Sequence, residues 1–152
     1  MRCVVQRVSR AEVRVDGRVT GRIDGGLLVL AAFAPGDTEA ELAWMARKLP
    51  ALRLFNDDEG RINRSLADTG GGILLVSQFT LYGDCRRGHR PSFTGSAPPE
   101  RARALYGRFG ALLREAWPTV AEGEFGASMS VELINEGPVT LIVDRDADEE
   151  TP

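Results

Sequence analysis

Four consecutive residues, Ser77-Gln78-Phe79-Thr80, place two hydroxyl groups and an amide near the end of an apolar run. The run, residues 73–81, is typical of a buried strand, and buried positions seldom hold polar side chains. In an extended strand, Ser77 and Phe79 would share one face, and Gln78 and Thr80 the other. Two interpretations stay open: these groups satisfy the backbone where the strand leaves the core, or they form a catalytic site.

Cys85 and His89 are the other residues that could serve a hydrolase, as nucleophile and base. The segment between them, Arg86-Arg87-Gly88, is typical of a loop, so we do not favour a cysteine hydrolase. A single histidine excludes an HExxH motif, and two distant cysteines cannot complete a tetrahedral zinc site. The phosphate-binding patterns GxxxxGKS/T and GxGxxG are missing from the sequence. We therefore expect neither a metal nor a cofactor.

Two further features are open to a structural or a functional interpretation. Gly137-Pro138 lies between two predicted strands and is most simply a turn, because only about 5–6% of X-Pro bonds are cis. The densest basic cluster contains Arg86, Arg87 and Arg90. It is either an ordinary solvated loop or a contact for the phosphates of a nucleic acid.

The hydrophobic pattern predicts the elements that would position these residues. A turn at Asp16-Gly17 joins two strands, and Thr38 with Glu41 forms a capping box for a helix that stops at Pro50. A second helix begins at Pro98-Pro99. The predicted strands are Arg2 to Val8, Ala11 to Val15, Leu27 to Phe33, residues 73–81, Met129 to Ile134 and Val139 to Val143, and residues 55–65 form a polar turn.

This order of elements predicts an α+β fold: a single domain with a curved, barrel-like antiparallel or mixed sheet and two packed helices. The domain covers residues 1–145, and residues 146–152 form an acidic, flexible tail. At 152 residues the chain suits one core. Its longest apolar stretch, Leu27 to Ala34, is far shorter than the roughly 20 residues of a membrane span.

Composition sets limits on location and partners. Met1 to Val8 lacks the apolar core of a signal peptide, so we expect a soluble cytoplasmic protein with reduced cysteines and no membrane. A net charge of −3 argues against a protein that coats nucleic acid but leaves room for a local RNA contact.

Three motifs, taken together, resemble the D-aminoacyl-tRNA deacylase family. They are Ser77-Gln78-Phe79-Thr80, Arg90-Pro91-Ser92-Phe93 and Asn135-Glu136-Gly137-Pro138-Val139-Thr140. Val5-Gln6-Arg7-Val8, the Asp16-Gly17 hairpin and Phe55 to Asn63 are also similar to that family, in the same order and at matching separations. The acidic tail extends beyond the family's usual end.

The resemblance implies hydrolysis of the ester between a D-amino acid and tRNA, at the interface of a homodimer. Ser77 to Thr80 of one chain would meet Gly137-Pro138 of the other, with that Gly-Pro bond cis. An enzyme that accepts many side chains must read the handedness of Cα. Rigid backbone atoms at Gly137 would reject an L-residue by a clash, whereas glycyl-tRNA, which has no side chain to clash, would pass.

Ester hydrolysis needs an attacking group and hydrogen-bond donors for the oxyanion. The main-chain N–H groups around Phe79 and Thr80 are our candidate donors. Thr80 could be the nucleophile, but no base lies nearby in the sequence. The resemblance points instead to assistance by the 2′-hydroxyl of the terminal adenosine, with Gln78 and Thr80 positioning the ester.

The resemblance also makes the tRNA 3′ end the expected partner, with Arg86, Arg87 and Arg90 as candidate contacts. The alternatives are a non-catalytic RNA-binding dimer on the same scaffold and an editing domain that serves a synthetase. A turnover assay separates the first alternative from a deacylase.

Overall fold

A computed structural model describes residues 1–147 of the chain. The strands are β1 (Arg2–Val15), β2 (Arg18–Ile23), β3 (Gly26–Ala32), β4 (Phe55–Asn56), β5 (Ile62–Arg64), β6 (Gly72–Ser77), β7 (Val120–Glu122) and β8 (Ser130–Asp144). The helices are α1 (Glu39–Ala51), α2 (Leu66–Thr69) and α3 (Pro99–Ala116), and one 3-10 turn spans Phe79–Tyr82. Most of the predicted acidic tail lies outside the described residues. Within residues 1–147, no helix is both long and apolar enough to span a bilayer.

The long strand β1 organises the main sheet because it pairs with three other strands. Its first half pairs with β3 and its second half with β2, while β8 runs antiparallel along its opposite edge. Beyond β3 the sheet continues through β6 and β7, which pair in parallel. At the far ends, β2 approaches β7 so closely that a Cβ on Gly21 would lie 2.2 Å from the Glu122 carbonyl oxygen. The mixed sheet is thus curved into a nearly closed barrel, which confirms the predicted fold class.

Burial on both faces explains the unbroken apolar runs of β3 and β6. Successive residues of a strand point to opposite faces. Val29 and Leu75 therefore belong to the core covered by α1 and α3, whereas Leu28 and Leu74 belong to a second core enclosed by the strands. The two long helices are the packed helices predicted from the sequence, and α2 is a single additional turn.

Local sequence signals are confirmed at the first hairpin and the first helix. Asp16 and Gly17 have φ angles of 50° and 77°, as the tight turn between β1 and β2 requires. At the start of α1, the Thr38 N–H donates to the Glu41 carboxylate over 2.7 Å, which completes the capping box. The helix continues through Pro50 rather than stopping there, because a proline in the last turn leaves the earlier turns intact.

Four predictions of element bounds are wrong. Arg2 to Val8 and Ala11 to Val15 belong to one continuous strand, β1. The strand expected over residues 73–81 ends at Ser77, and the chain then leaves the sheet and forms the 3-10 turn. The two C-terminal strands form one strand, β8, since β1 pairs with both halves and Asn135 to Thr140 stay in the sheet as a bulge. The polar segment 55–65 contains the short β4–β5 hairpin, whose turn is held by the Asp57 N–H donating to the Arg61 carbonyl over 2.8 Å.

Candidate active site

The Ser77 to Thr80 segment lies where β6 becomes a 3-10 turn. The Gln78 N–H donates to the Ala31 carbonyl over 2.8 Å, the last bond to β3, and the Gly83 N–H then donates to the Thr80 carbonyl over 2.9 Å. The face alternation expected for an extended strand therefore does not reach Thr80. As at the start of any helical turn, the first N–H groups lack an internal partner. Within residues 1–147, the N–H groups of Phe79 and Thr80 donate no hydrogen bond.

Two cavities flank this turn and share Ser77, Phe79 and Gly126 as wall residues. The larger, of about 420 Å³, is mainly apolar and includes Phe93 and Phe125. The smaller, of about 290 Å³, adds Gln78 among its wall residues. The turn thus separates two compartments, and each can receive a different part of one substrate.

The polar groups of the turn are held by short-range contacts. The Gln78 side-chain amide donates to the Thr80 hydroxyl, and the Ser96 hydroxyl donates to the Phe79 carbonyl over 3.0 Å. The Phe79 ring packs edge-on against Phe93 at 5.3 Å between centroids, yet 56% of Phe79 remains exposed. A large apolar side chain so exposed at a cavity mouth is suited to contact with a ligand or a partner surface.

No ionisable side chain lines either cavity in the described part of the chain. The walls offer hydroxyls, one amide and main-chain groups, which can donate and accept hydrogen bonds but cannot act as a general base near neutral pH. No cluster of histidine, cysteine and acidic side chains suited to a metal occurs among residues 1–147. The arrangement can therefore orient and polarise an ester, while a proton acceptor must come from the substrate, water or another chain.

Gly137 and Pro138 are exposed on the bulge of β8. Their peptide bond is cis, which confirms the expectation from the resemblance. Gly137 has a φ of 139°, and a Cβ there would lie 2.9 Å from the Val139 side chain, so glycine is required. Asn135 stabilises the bulge by accepting from the Val139 N–H over 2.9 Å and donating to Thr140 over 2.8 Å.

Arg7 of β1 holds the other side of this bulge, and sequence reasoning missed it. Only 7% of Arg7 is exposed, and its Nε donates to the Glu136 carbonyl over 2.8 Å. Its Nη1 donates to the Leu54 carbonyl and the Asn56 side chain, each over 3.0 Å. A signal existed: alternation in β1 puts position 7 on the same buried face as Val5, where an arginine needs a partner.

The fold does not bring Gly137-Pro138 to the Ser77 to Thr80 turn of the same chain. In the sheet register, Ser77 aligns with Val143 through Ala31 and Cys3. Gly137 lies instead beside Arg7, which is four residues along β1 from Cys3. Because β8 is also three strands away from β6, Gly137 and Ser77 are roughly 20 Å apart along the sheet at ordinary strand spacings. Within one chain, the two motifs are therefore separated along the sheet.

The basic cluster forms a loop closed by reciprocal main-chain bonds between Asp84 and Ser92, of 2.7 and 2.9 Å. The Arg86 side chain donates to both carboxylate oxygens of Asp84, over 2.9 and 2.7 Å, and holds the pKa of that carboxyl at about 2. The fork of Arg86 is therefore occupied, whereas Arg87 and Arg90 are exposed beside a surface cavity of about 430 Å³.

The barrel fold of this chain is shared with proteins of known structure. The structure titled "c-Myc DNA Unwinding Element Binding Protein" superposes with a TM-score of 0.91 at 39% identity, covering 97% of this chain and all of that one. A second, titled "Structural Analysis of a probable eukaryotic D-amino acid tRNA deacylase", gives a TM-score of 0.83 at 23% identity, covering 95% of this chain and 98% of that one, and shows the shared fold.

This chain belongs to the D-Tyr-tRNA(Tyr) deacylase family, whose profile matches residues 4–144. The D-aminoacyl-tRNA deacylase of Chlorobaculum parvum is 59% identical over 145 residues, which is 95% of this chain and 97% of the relative. That of Deinococcus radiodurans is 55% identical over 144 residues, 95% of this chain and 99% of the relative. The family indicated by the sequence motifs is thus confirmed.

Proposed function

We propose that this protein hydrolyses the ester of D-aminoacyl-tRNA in the cytoplasm and releases the D-amino acid and free tRNA. The observation that carries the proposal is the turn after β6, where two N–H donors that have no partner within residues 1–147 belong to a segment that walls two cavities. Purified protein should deacylate a D-aminoacyl-tRNA. Binding of the tRNA without turnover would instead establish the alternative, a non-catalytic RNA-binding dimer, which the deacylase names of the relatives do not favour.

Main-chain donors at Phe79 and Thr80 suit the oxyanion that forms when the ester carbonyl is attacked. Among residues 1–147 the cavity walls hold no base. The family resemblance points to assistance of the attack by the 2′-hydroxyl of the terminal adenosine, with Gln78 and Thr80 positioning the ester. A tRNA that carries its D-amino acid on a terminal 2′-deoxyadenosine should be a poor substrate. Thr80→Ala should retain most activity; a folded but inactive Thr80→Ala enzyme would make Thr80 the nucleophile.

Gly137-Pro138 acts as a chirality filter in this proposal. The bulge is fixed by Arg7 and Asn135, so its main-chain atoms form a wall that does not yield to a side chain. An L-residue would direct its side chain into that wall, whereas a D-residue would direct it away. Matched D-aminoacyl-, L-aminoacyl- and glycyl-tRNA test the filter: the D-aminoacyl and glycyl esters should be cleaved, and equal cleavage of the L-ester contradicts it.

The active form is a homodimer whose sites combine two chains. The roughly 20 Å between the motifs in one chain supports this arrangement. So does the exposed apolar surface of β8, where Ile134, Leu141 and Ile142 are 50%, 39% and 66% exposed. An apolar edge strand of this kind is a liability in a monomer and is suited to cover by another chain.

Subunit mixing tests the shared site. A Gly137→Ala chain and a Phe79→Pro chain, which lacks one of the two proposed N–H donors, should each be inactive alone. After co-refolding, the mixture should regain up to about a quarter of wild-type activity, because each mixed dimer contains one intact site. Each variant refolded alone is the matched control. If both motifs served one chain, the mixture would stay inactive.

Arg86, Arg87 and Arg90 are proposed to bind the phosphates near the tRNA 3′ end. Arg87 and Arg90 have the more available side chains, because Asp84 occupies the fork of Arg86. Replacing Arg87 and Arg90 by glutamine should reduce the salt dependence of tRNA binding by about 0.7 per lost single-strand contact. An unchanged slope would remove these residues from the interface.

A further inference from the structure

Arg103 of α3 lies over an aromatic ring that lines the larger cavity. Its guanidinium carbon is 4.8 Å from the centre of the Phe125 ring. On the protein side, Phe125 packs against Tyr106 at 5.4 Å between centroids. Tyr106 is buried, and its hydroxyl donates to the Leu75 carbonyl over 3.4 Å. The ring is therefore linked to β6 through Tyr106, and the guanidinium of Arg103 lies over the ring.

The N–H donors of Arg103 are left unused by this contact. Stacking engages the face of a guanidinium, whereas its donors lie in the plane and point outward. The other arginines of α3 are occupied: Arg101 donates to main-chain carbonyls, Arg108 pairs with Glu39, and Arg114 pairs with Glu122. Within residues 1–147, Arg103 has neither a carboxylate partner nor a hydrogen-bond acceptor.

Gly126 places these free donors at the rim of both cavities. A Cβ on Gly126 would lie 3.3 Å from Arg103 Nη2, and Gly126 belongs to the walls of both compartments. The guanidinium therefore lies next to the cavities but outside their apolar interior. A cation held there can meet an anionic group of a molecule whose uncharged part fills the cavity.

We propose that Arg103 binds a phosphate of the tRNA 3′ end while the terminal aminoacyl-adenosine occupies the cavities. This inference rests on the proposed function. The ester is on the terminal ribose, and the 5′ phosphate of that nucleotide is only one sugar away. A stacked arginine offers a planar fork suited to two oxygens of one phosphate. Together with Arg87 and Arg90 on the loop after the turn, Arg103 would fix the RNA strand at two points.

The test compares two substrates that differ in phosphate: a D-aminoacyl-tRNA and the corresponding 3′-D-aminoacyl-adenosine, which has none. Arg103→Gln should lower kcat/KM for the tRNA by about tenfold, the loss of one charge-assisted contact, and leave the adenosine ester within about twofold. The salt slope of tRNA binding should fall by about 0.7. Arg47→Gln, an exposed arginine on α1, is the matched control and should change neither.

Equal losses on both substrates would overturn the proposal, because they would mean that Arg103 only supports the Phe125 ring. An unchanged tRNA rate would also overturn it. If the wild-type protein cleaves neither substrate, the proposed function has failed instead. The salt slope for binding uncharged tRNA then still decides whether Arg103 contacts phosphate.

Discussion

Replacing Arg7 should damage chiral discrimination as well as stability, because this side chain joins the β8 bulge to the rest of the fold. Arg7→Met keeps much of the apolar stem and removes all three donated hydrogen bonds. A hydrogen bond from a charged group contributes about 1.5–3 kcal/mol to stability. Removing the buried cation also removes its desolvation cost, which offsets part of the loss.

The expected net destabilisation is about 2–4 kcal/mol, which lowers Tm by roughly 4–16 °C for a chain of this size. Only the bond to the Glu136 carbonyl restrains the bulge directly. Suppose that the loss of this bond lowers the free energy needed for an L-side chain to displace the bulge by about 1.4 kcal/mol. The ratio of D- to L-aminoacyl-tRNA cleavage should then fall about tenfold. Arg7→Lys should show a similar fall, because a single ammonium cannot replace the arginine fork.

The assay measures kcat/KM for matched D- and L-esters at 25 °C, after circular dichroism has shown that the variant is folded. Arg53→Met is the control. Arg53 is exposed, and its Nε donates to the carbonyl of Asn63 on β5 over 2.8 Å. It should change stability by less than about 0.5 kcal/mol. A folded, destabilised Arg7→Met enzyme with an unchanged D/L ratio would refute the positioning role of Arg7.

Three other predictions concern single positions. Gly137→Ala should lose activity and about 1–3 kcal/mol of stability, because φ is 139° and Val139 lies within 2.9 Å of the new Cβ; thermal unfolding and turnover together measure this. Gly107→Ala should raise stability by about 0.5–1 kcal/mol, because that helical position has open space around it; an unchanged or lower Tm would contradict this. Burial raises the pKa of the Cys3 thiol, so Ellman's reagent should modify only Cys85 in the native protein and both thiols after unfolding.

The parts of the fold that sequence predicted well are those decided by local patterns. The runs of β3 and of residues 73–76 in β6 are apolar at every position because the two faces of each strand lie in different cores. The capping box at Thr38 and the Asp16-Gly17 turn are formed by neighbouring residues, so their geometry follows from the sequence alone. Elements of three or four residues, such as β7 and α2, carry too little periodicity to be predicted.

The features that sequence missed depend on contacts between distant segments. Ser77 ends β6 although Phe79 and Leu81 continue the apolar pattern, because the chain bends into a turn that also meets Ser96. The bulge in β8 looks like a loop until β1 is seen to pair with both of its sides. Arg7 acquires its partners from two distant segments, around Leu54 to Asn56 and at Glu136, which no spacing rule connects with it.

The turn that follows β6 has a consequence for how such a site responds to genetic change. Its two candidate oxyanion donors belong to the main chain, so replacing Phe79 or Thr80 by most other residues leaves both donors in place. An alanine scan would detect only the side-chain contacts that position the ester. It would underestimate the contribution of the turn to catalysis. Selection could therefore vary the side chains around the cavities, and with them the preferred amino acid, while the groups proposed to stabilise the reaction stay unchanged.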